Sequence, residues 1–132
     1  MSNCIIAQKS NSQTLFATDS SQVVTNPLAG ADAQVWTLNL VSPNVYTIER
    51  DGLFLDAFPD QGNDYNVVMR PAQADGTQHW TMTKVAENEF SIQQVSSNLY
   101  LDAYQNVGND FRVVKRDEQL GDDTQVWIVT PA

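Results

Sequence analysis

Cysteine and histidine are almost missing from this 132-residue chain: one of each, Cys4 and His79. A lone cysteine excludes an intramolecular disulfide, and with one histidine it cannot build a four-ligand zinc site. No nucleophile–histidine signature is present. Cys4 sits in a strand-like segment and reads as a small buried hydrophobe rather than a nucleophile. His79 lies inside a Gln-x-Trp motif and reads as a strand residue. Basic residues are also few. Seven Lys and Arg stand against sixteen Asp and Glu, a net charge of -9. An acidic surface of this size repels phosphate backbones, which argues against nucleic acid as a partner. No apolar run approaches the ~20 residues that a membrane span needs, so no membrane insertion is expected. The first ten residues show no basic stretch followed by an apolar one. Together with the lack of disulfides, this points to a cytoplasmic or non-classically exported protein. Helical apolar periodicity and helix caps are missing too.

What the chain does have is repetition, and a length that suits one domain spanning 1–132. Every tryptophan is preceded two positions earlier by glutamine: Gln34-Val35-Trp36, Gln78-His79-Trp80 and Gln125-Val126-Trp127. The tryptophans are 44 and 47 residues apart. A Val-Val pair precedes each one, at Val23-Val24, Val67-Val68 and Val113-Val114. Two further blocks recur in the second and third copies. One is Leu55-Asp56-Ala57-Phe58 and Leu101-Asp102-Ala103-Tyr104. The other is Gly62-Asn63-Asp64-Tyr65 and Gly108-Asn109-Asp110-Phe111. With Gly121 as one insertion, Asp56–Trp80 matches the third copy at 13 of 25 positions. The copies run approximately 1–41, 42–86 and 87–132.

The first copy is degenerate. Thr14-Leu15-Phe16-Ala17 aligns with Leu99-Tyr100-Leu101-Asp102, which puts Ala17 where the others carry aspartate. On that alignment the stretch before its Val-Val pair is five residues shorter, and the Gly-Asn-Asp-aromatic block is absent.

Within each copy, short runs of Val, Ile, Thr, Tyr and Phe are separated by Asn, Asp, Gly, Ser and Pro. About four strands per copy make about twelve in all. Three four-stranded units must bury their apolar faces on one another, and a closed threefold arrangement removes exposed strand edges. The expected fold is all-β: a β-trefoil of three pseudo-threefold repeats. Its core should hold the three tryptophans with Phe16, Val23, Ile48, Leu55, Val67, Ile92, Leu101 and Val113.

The three Gln-x-Trp motifs, with Leu-Asp-Ala upstream, resemble the ricin-B-type (R-type) β-trefoil lectins over essentially the whole chain. The short disulfide-free units are similar to small bacterial and fungal members. The resemblance implies a non-catalytic carbohydrate-binding lectin whose partners are glycans, of galactose or mannose type. It also implies that Trp packs in the core and Gln bonds to backbone. Asp56 and Asp102 match the family aspartate that receives sugar hydroxyls, and a charged acceptor makes the stronger bonds. Gln73 and Gln119 match the polar residue that follows the third strand of a unit. Asn63, Asp64 and Tyr65, with Asn109, Asp110 and Phe111, lie in the loop that borders the pocket in this family. Arg70 and Arg116 stand where the ricin chain has its stacking aromatic. Stacking would then fall to Tyr65 and Phe111 or to Phe58 and Tyr104, or else the arginines pair with Asp56 and Asp102 and hold the loop.

Each candidate has a structural reading beside the functional one. Asp56 and Asp102 could cap turns, Gly-Asn-Asp could be only a hairpin turn, and Tyr65 and Phe111 could be core residues under a loop. The first copy, with Ala17 in the aspartate's place and Ala29 in that of Gln73 and Gln119, should be a dead site, leaving two active ones. No cofactor is expected. Calcium is a minor alternative, because Asp56, Asp60 and Asp64 recur every four residues with Asp102, Asn106 and Asp110 matching. The rival class is a protease inhibitor or protein-binding trefoil acting through surface loops. Duplicated loops favour duplicated small-ligand pockets instead.

Overall fold

A computed structural model describes residues 2–27, 33–73 and 75–132. Twelve strands follow in order: β1 (Ser2–Gln8), β2 (Thr14–Ala17), β3 (Val23–Asn26), β4 (Trp36–Ser42), β5 (Val45–Arg50), β6 (Leu53–Ala57), β7 (Val67–Arg70), β8 (Trp80–Ala86), β9 (Glu89–Gln94), β10 (Tyr100–Ala103), β11 (Val113–Arg116) and β12 (Trp127–Pro131). Four short 3₁₀ turns are the only helical pieces among the described residues.

Six strands close on themselves through antiparallel pairs in the order β1, β4, β5, β8, β9, β12 and back to β1. This ring is a barrel, and closing it removes the strand edges that would otherwise template aggregation. The other six strands form three hairpins, β2–β3, β6–β7 and β10–β11. Single bridges tie the hairpins together: Gln22 to Val68, Val24 to Arg112 and Asn66 to Val114. Each bridge joins a different pair of copies, so the hairpins cap the barrel as a triplet. A six-stranded barrel with a three-hairpin cap is a β-trefoil.

The tryptophans explain why the motif must recur. Trp36, Trp80 and Trp127 are each fully buried at the start of β4, β8 and β12. A buried indole N–H needs an acceptor, and each finds the same one. Their Nε1 atoms donate to Leu15 O at 3.1 Å, Leu55 O at 3.0 Å and Leu101 O at 3.0 Å. One side chain thus joins barrel to cap in every copy. Fully burying large apolar side chains stabilises by roughly 1.5–3 kcal/mol each. The ring of Ile6, Ile48 and Ile92 is fully buried beside them.

These bonds correct the alignment of the first copy. Leu15, not Phe16, is the counterpart of Leu55 and Leu101. The strand pairs agree, since Ala17 faces Val23 as Ala57 faces Val67 and Ala103 faces Val113. Phe16 therefore occupies the aspartate position, and Ala17 matches the alanine after it. Phe16 accordingly leaves the expected core: it is half-buried, while Leu15 is fully buried. The shortening is also four residues rather than five, because 18–22 spans five residues where 58–66 and 104–112 span nine each.

Candidate carbohydrate-binding site

Asp56 and Asp102 lie one residue before the ends of β6 and β10, with 2% and 7% of their surface exposed. A buried carboxylate must be satisfied by donors, and here the donors are supplied in duplicate. Asp56 Oδ1 accepts from Ala57 N at 2.7 Å, and its Oδ2 accepts from Gln78 Nε2 at 3.1 Å. Asp102 does the same with Ala103 N at 2.7 Å and Gln125 Nε2 at 3.0 Å. The motif glutamine is therefore more than a backbone tie. Gln78 also accepts from Gln73 N at 2.9 Å and donates to Pro71 O at 2.9 Å. Gln125 accepts from Gln119 N at 2.9 Å and donates to Asp117 O at 2.8 Å. One amide orients the carboxylate and fixes the loop that carries Gln73 or Gln119.

The first copy shows what happens without the carboxylate. Gln34 Oε1 accepts from Ala17 N at 2.8 Å, the amide that an aspartate would otherwise bind. Its Nε2 returns to Ala17 O at 3.2 Å. Among the described residues, the motif glutamine there bonds only to the backbone of Ala17. Ala29 lies outside the described residues.

In the third copy a cleft of about 270 Å³ opens beside Asp102, walled by Tyr104, Arg116, Gln119, Asp122 and Thr124. Burial pushes the Asp102 carboxyl above the usual aspartate range. The Ala103 amide, Gln125 and Thr124 counteract this in part, and nearby Asp122 adds to it. Asp122 and Thr124 are functional candidates that the sequence reading missed. Asp122 accepts from Thr124 N at 2.9 Å, and Asp75 accepts from Thr77 N at 3.2 Å and Thr77 Oγ1 at 2.6 Å. The available signal was an Asp-x-Thr-Gln run before both later tryptophans.

Asn109, Asp110 and Phe111 do not line the third copy's cleft. Asn63 and Asn109 hold the loop itself, donating to Asp60 Oδ1 at 2.9 Å and Asn106 Oδ1 at 3.0 Å. Asp64 adopts φ +52° and Asp110 φ +55°, the left-handed region that Asp tolerates better than most residues. Asp64 then reaches into the third copy. Its Oδ1 pairs with Arg116 Nη2 at 2.8 Å, and its Oδ2 accepts from Tyr104 Oη at 2.6 Å and Arg112 Nη2 at 3.3 Å. Burial opposes the charge, but the Tyr104 hydroxyl, Arg116 and Arg112 together outweigh it and hold Asp64 below the usual range. Arg116 does hold a loop, but through Asp64 of the neighbouring copy rather than through Asp102. Arg70 stands 4.7 Å over the Phe58 ring.

Tyr65 and Phe111 are half-buried between copies, with carbonyls that accept from Lys115 N at 3.1 Å and Thr25 N at 3.0 Å. So Asp56 and Gln73 come together, as do Asp102, Arg116 and Gln119. Asp64, Tyr65, Asp110 and Phe111 lie at the joints between copies, whereas Asn63 and Asn109 bond within their own loops. Among the described residues, no three of His, Cys, Asp or Glu are placed to share a metal ion. A larger cavity of about 430 Å³, lined by Cys4, Leu38, Tyr46, Met82, Phe90 and Val129, lies at the barrel end away from these carboxylates. Burial there raises the Cys4 thiol to about 11.

Solved structures share this fold. The designed threefold-symmetric protein ThreeFoil superposes with a TM-score of 0.85 at 17% identity, over 98% of this chain and 99% of that one. SeviL, in a structure described as bound to asialo-GM1 saccharide, gives a TM-score of 0.80 at 21% identity, over 100% and 98%. The Polyporus squamosus lectin, bound to the epitope Neu5Aca2-6Galb1-4GlcNAc, gives 0.78 at 12% identity, over 98% of this chain and 49% of that one. No curated protein sequence matches this chain significantly. The family described as ricin-type beta-trefoil lectin domain-like matches residues 32–116 and 76–132, and the chain belongs to that family.

Proposed function

We propose that this protein is a non-catalytic lectin with two sugar sites, one on Asp56 in the second copy and one on Asp102 in the third. The observation that carries the reading is the pre-oriented carboxylate. Ala103 N and Gln125 Nε2 hold Asp102 at the edge of a cleft with Tyr104, Gln119 and Asp122 around it. A fixed carboxylate accepts from vicinal sugar hydroxyls without first being ordered. Tyr104, or Phe58 in the second copy, offers apolar surface to a sugar ring. Two shallow sites on one rigid body gain by avidity on clustered glycans. No cofactor is needed for this.

A glycan array carrying terminal galactose, N-acetylgalactosamine and mannose tests the reading, followed by titration of the best hit. Asp56→Asn and Asp102→Asn should each remove one site and together remove binding. Binding that survives the double variant refutes the site assignment. No binding to any glycan, with inhibition of a protease, refutes the lectin reading.

A further inference from the structure

The third copy's loop faces the first copy across a groove of about 330 Å³, lined by Phe16, Thr18, Val24, Val107, Asp110 and Phe111 among others. Its counterpart one step around the molecule is the joint between the second and third copies, where Asp64 is fully engaged. There, Arg112, Lys115 and Arg116 supply three cations. Arg116 and Arg112 bind the carboxylate and lie over the Tyr104 ring at 5.5 and 4.9 Å. Lys115 Nζ stands 5.6 Å from the centroid of Tyr65. Around the groove, by strand register, the same positions hold Gln22, Thr25 and Asn26, and Thr18 replaces Tyr104. All three cations and the tyrosine hydroxyl are gone. Asp110 keeps the left-handed conformation of Asp64 but is exposed, and among the described residues its carboxylate has neither an ion pair nor a hydrogen bond. Phe16 stands where a sugar-binding aspartate would be, so the groove is not a sugar site of the proposed kind.

We propose that this groove binds a guanidinium group, presented as an arginine side chain by a partner polypeptide. The molecule carries its own template for the occupant. In the neighbouring joint an arginine reaches the same loop carboxylate while lying over Tyr104. Here the carboxylate remains, the arginine is missing and Thr18 stands in place of that ring, but two other rings line the groove: Phe111, the counterpart of Tyr65, and Phe16. A planar guanidinium matches a carboxylate and stacks on aromatic faces better than an ammonium does. Val107, 74% exposed on the groove wall, and Val24 offer apolar contact to residues flanking the arginine. The net charge of -9 favours the approach of a cationic segment. The inference does not depend on sugar binding elsewhere.

The test is titration of the isotope-labelled full chain, followed by amide NMR, with acetyl-Leu-Arg-Leu-amide and with the same peptide carrying citrulline. The expected result is shifts confined to Phe16, Val24, Val107, Asp110 and Phe111. Citrulline or Asp110→Asn should weaken binding about tenfold or more, as expected for loss of a close charge pair. The double variant Thr18→Tyr with Asn26→Arg installs the internal partner and should abolish binding. No shifts at about 10 mM arginine peptide, weaker than any affinity of interest, would overturn the proposal. So would shifts that Asp110→Asn leaves unchanged, a variant whose exposed position keeps the fold intact.

Discussion

Two joints in this molecule share a backbone and differ in chemistry. Between the second and third copies, Asp64 is held by Arg116, Arg112 and Tyr104. Between the third and first, Asp110 has the same loop and the same φ, but Gln22 and Asn26 stand in place of the arginines. In Gln22 the buried Nε2 has no partner among the described residues. The loop conformation is therefore set locally, by the 3₁₀ turn and the bond from Asn63 or Asn109. The cations are a second layer that decides whether a joint is filled or open. Threefold architecture lets the two layers vary separately, because the barrel and the tryptophan bonds keep every copy in place.

The largest expected effect is at the third copy's cleft, beside the filled joint. Asp102→Ala removes the acceptor for Gln125 Nε2 and Ala103 N in a nearly closed site. Orphaned buried donors cost about 1–3 kcal/mol each, so a loss of about 2–4 kcal/mol in chemical unfolding is expected, with loss of sugar binding in the third copy. The first copy sharpens this. There Gln34 Oε1 takes the Ala17 amide with no aspartate present. If Gln125 can swing the same way, the stability loss falls below about 1 kcal/mol while the sugar loss remains, and the two readouts separate.

pH separates cleft from joint. The Asp102 carboxyl lies above the usual aspartate range, so on acidification it takes up a proton sooner than an ordinary aspartate and loses its acceptor role. The Asp64 carboxyl lies below that range. Its contribution to stability is present above the unfolded-state value and is lost only as pH falls through the lowered folded-state value. Sugar binding by the third copy should therefore fail at a less acidic pH than the one at which the joint loosens. Titrations of binding and of melting temperature from pH 7 downward check the order. Coincident transitions would mean that the cleft depends on the joint.

Much of this was legible in the sequence, and two of the misses come from bonds that a linear repeat does not record. The Gln-x-Trp motif announces itself because each copy needs the same indole-to-carbonyl bond, so period and fold follow from it. The Leu-Asp-Ala blocks recur for a related reason, because the motif glutamine holds both aspartates. The register of the first copy was not, because nothing in Thr14-Leu15-Phe16-Ala17 says which apolar residue bonds Trp36; only the bond to Leu15 does. Nor was the target of Asp64 legible. Its partners are 40 to 52 residues away in another copy, and adjacency of copies around an axis leaves no trace in a linear repeat.

Asp64→Asn is the direct way to turn the filled joint into the open kind. The pair is exposed enough for water to screen it, with 39% of the Asp64 side chain accessible. Networks of this sort yield on the order of 1 kcal/mol, or roughly 3–5 °C in melting temperature for a domain of this size. If the loop rather than the cations sets the fold, strand amides should stay protected from hydrogen exchange and only the 60–66 loop should open.

The smallest effect is expected where the difference between copies looks most drastic. Lys115 is a buried lysine, 2% exposed, at the position held by Met69 in the second copy and Thr25 in the first. Its Nζ donates to Gln94 Oε1 at 2.6 Å. Removing it leaves no orphan, since Ser97 Oγ donates to the same oxygen at 2.6 Å. Methionine already fits this site in the neighbouring copy, and burial pushes the Lys115 ammonium below the usual lysine range, with nearby Asp56 pulling the other way. Charging it in the fold therefore costs stability, and the cost is in force below its folded-state value and fades as pH rises past it. Lys115→Met should change stability by less than about 1 kcal/mol at neutral pH, in the stabilising direction, as replacements of buried charges often do. The gain should shrink toward alkaline pH. A loss of several kcal/mol instead would show that the cation over Tyr65 ties the second and third copies together, and that the filled joint is structural rather than an elaboration of the open one.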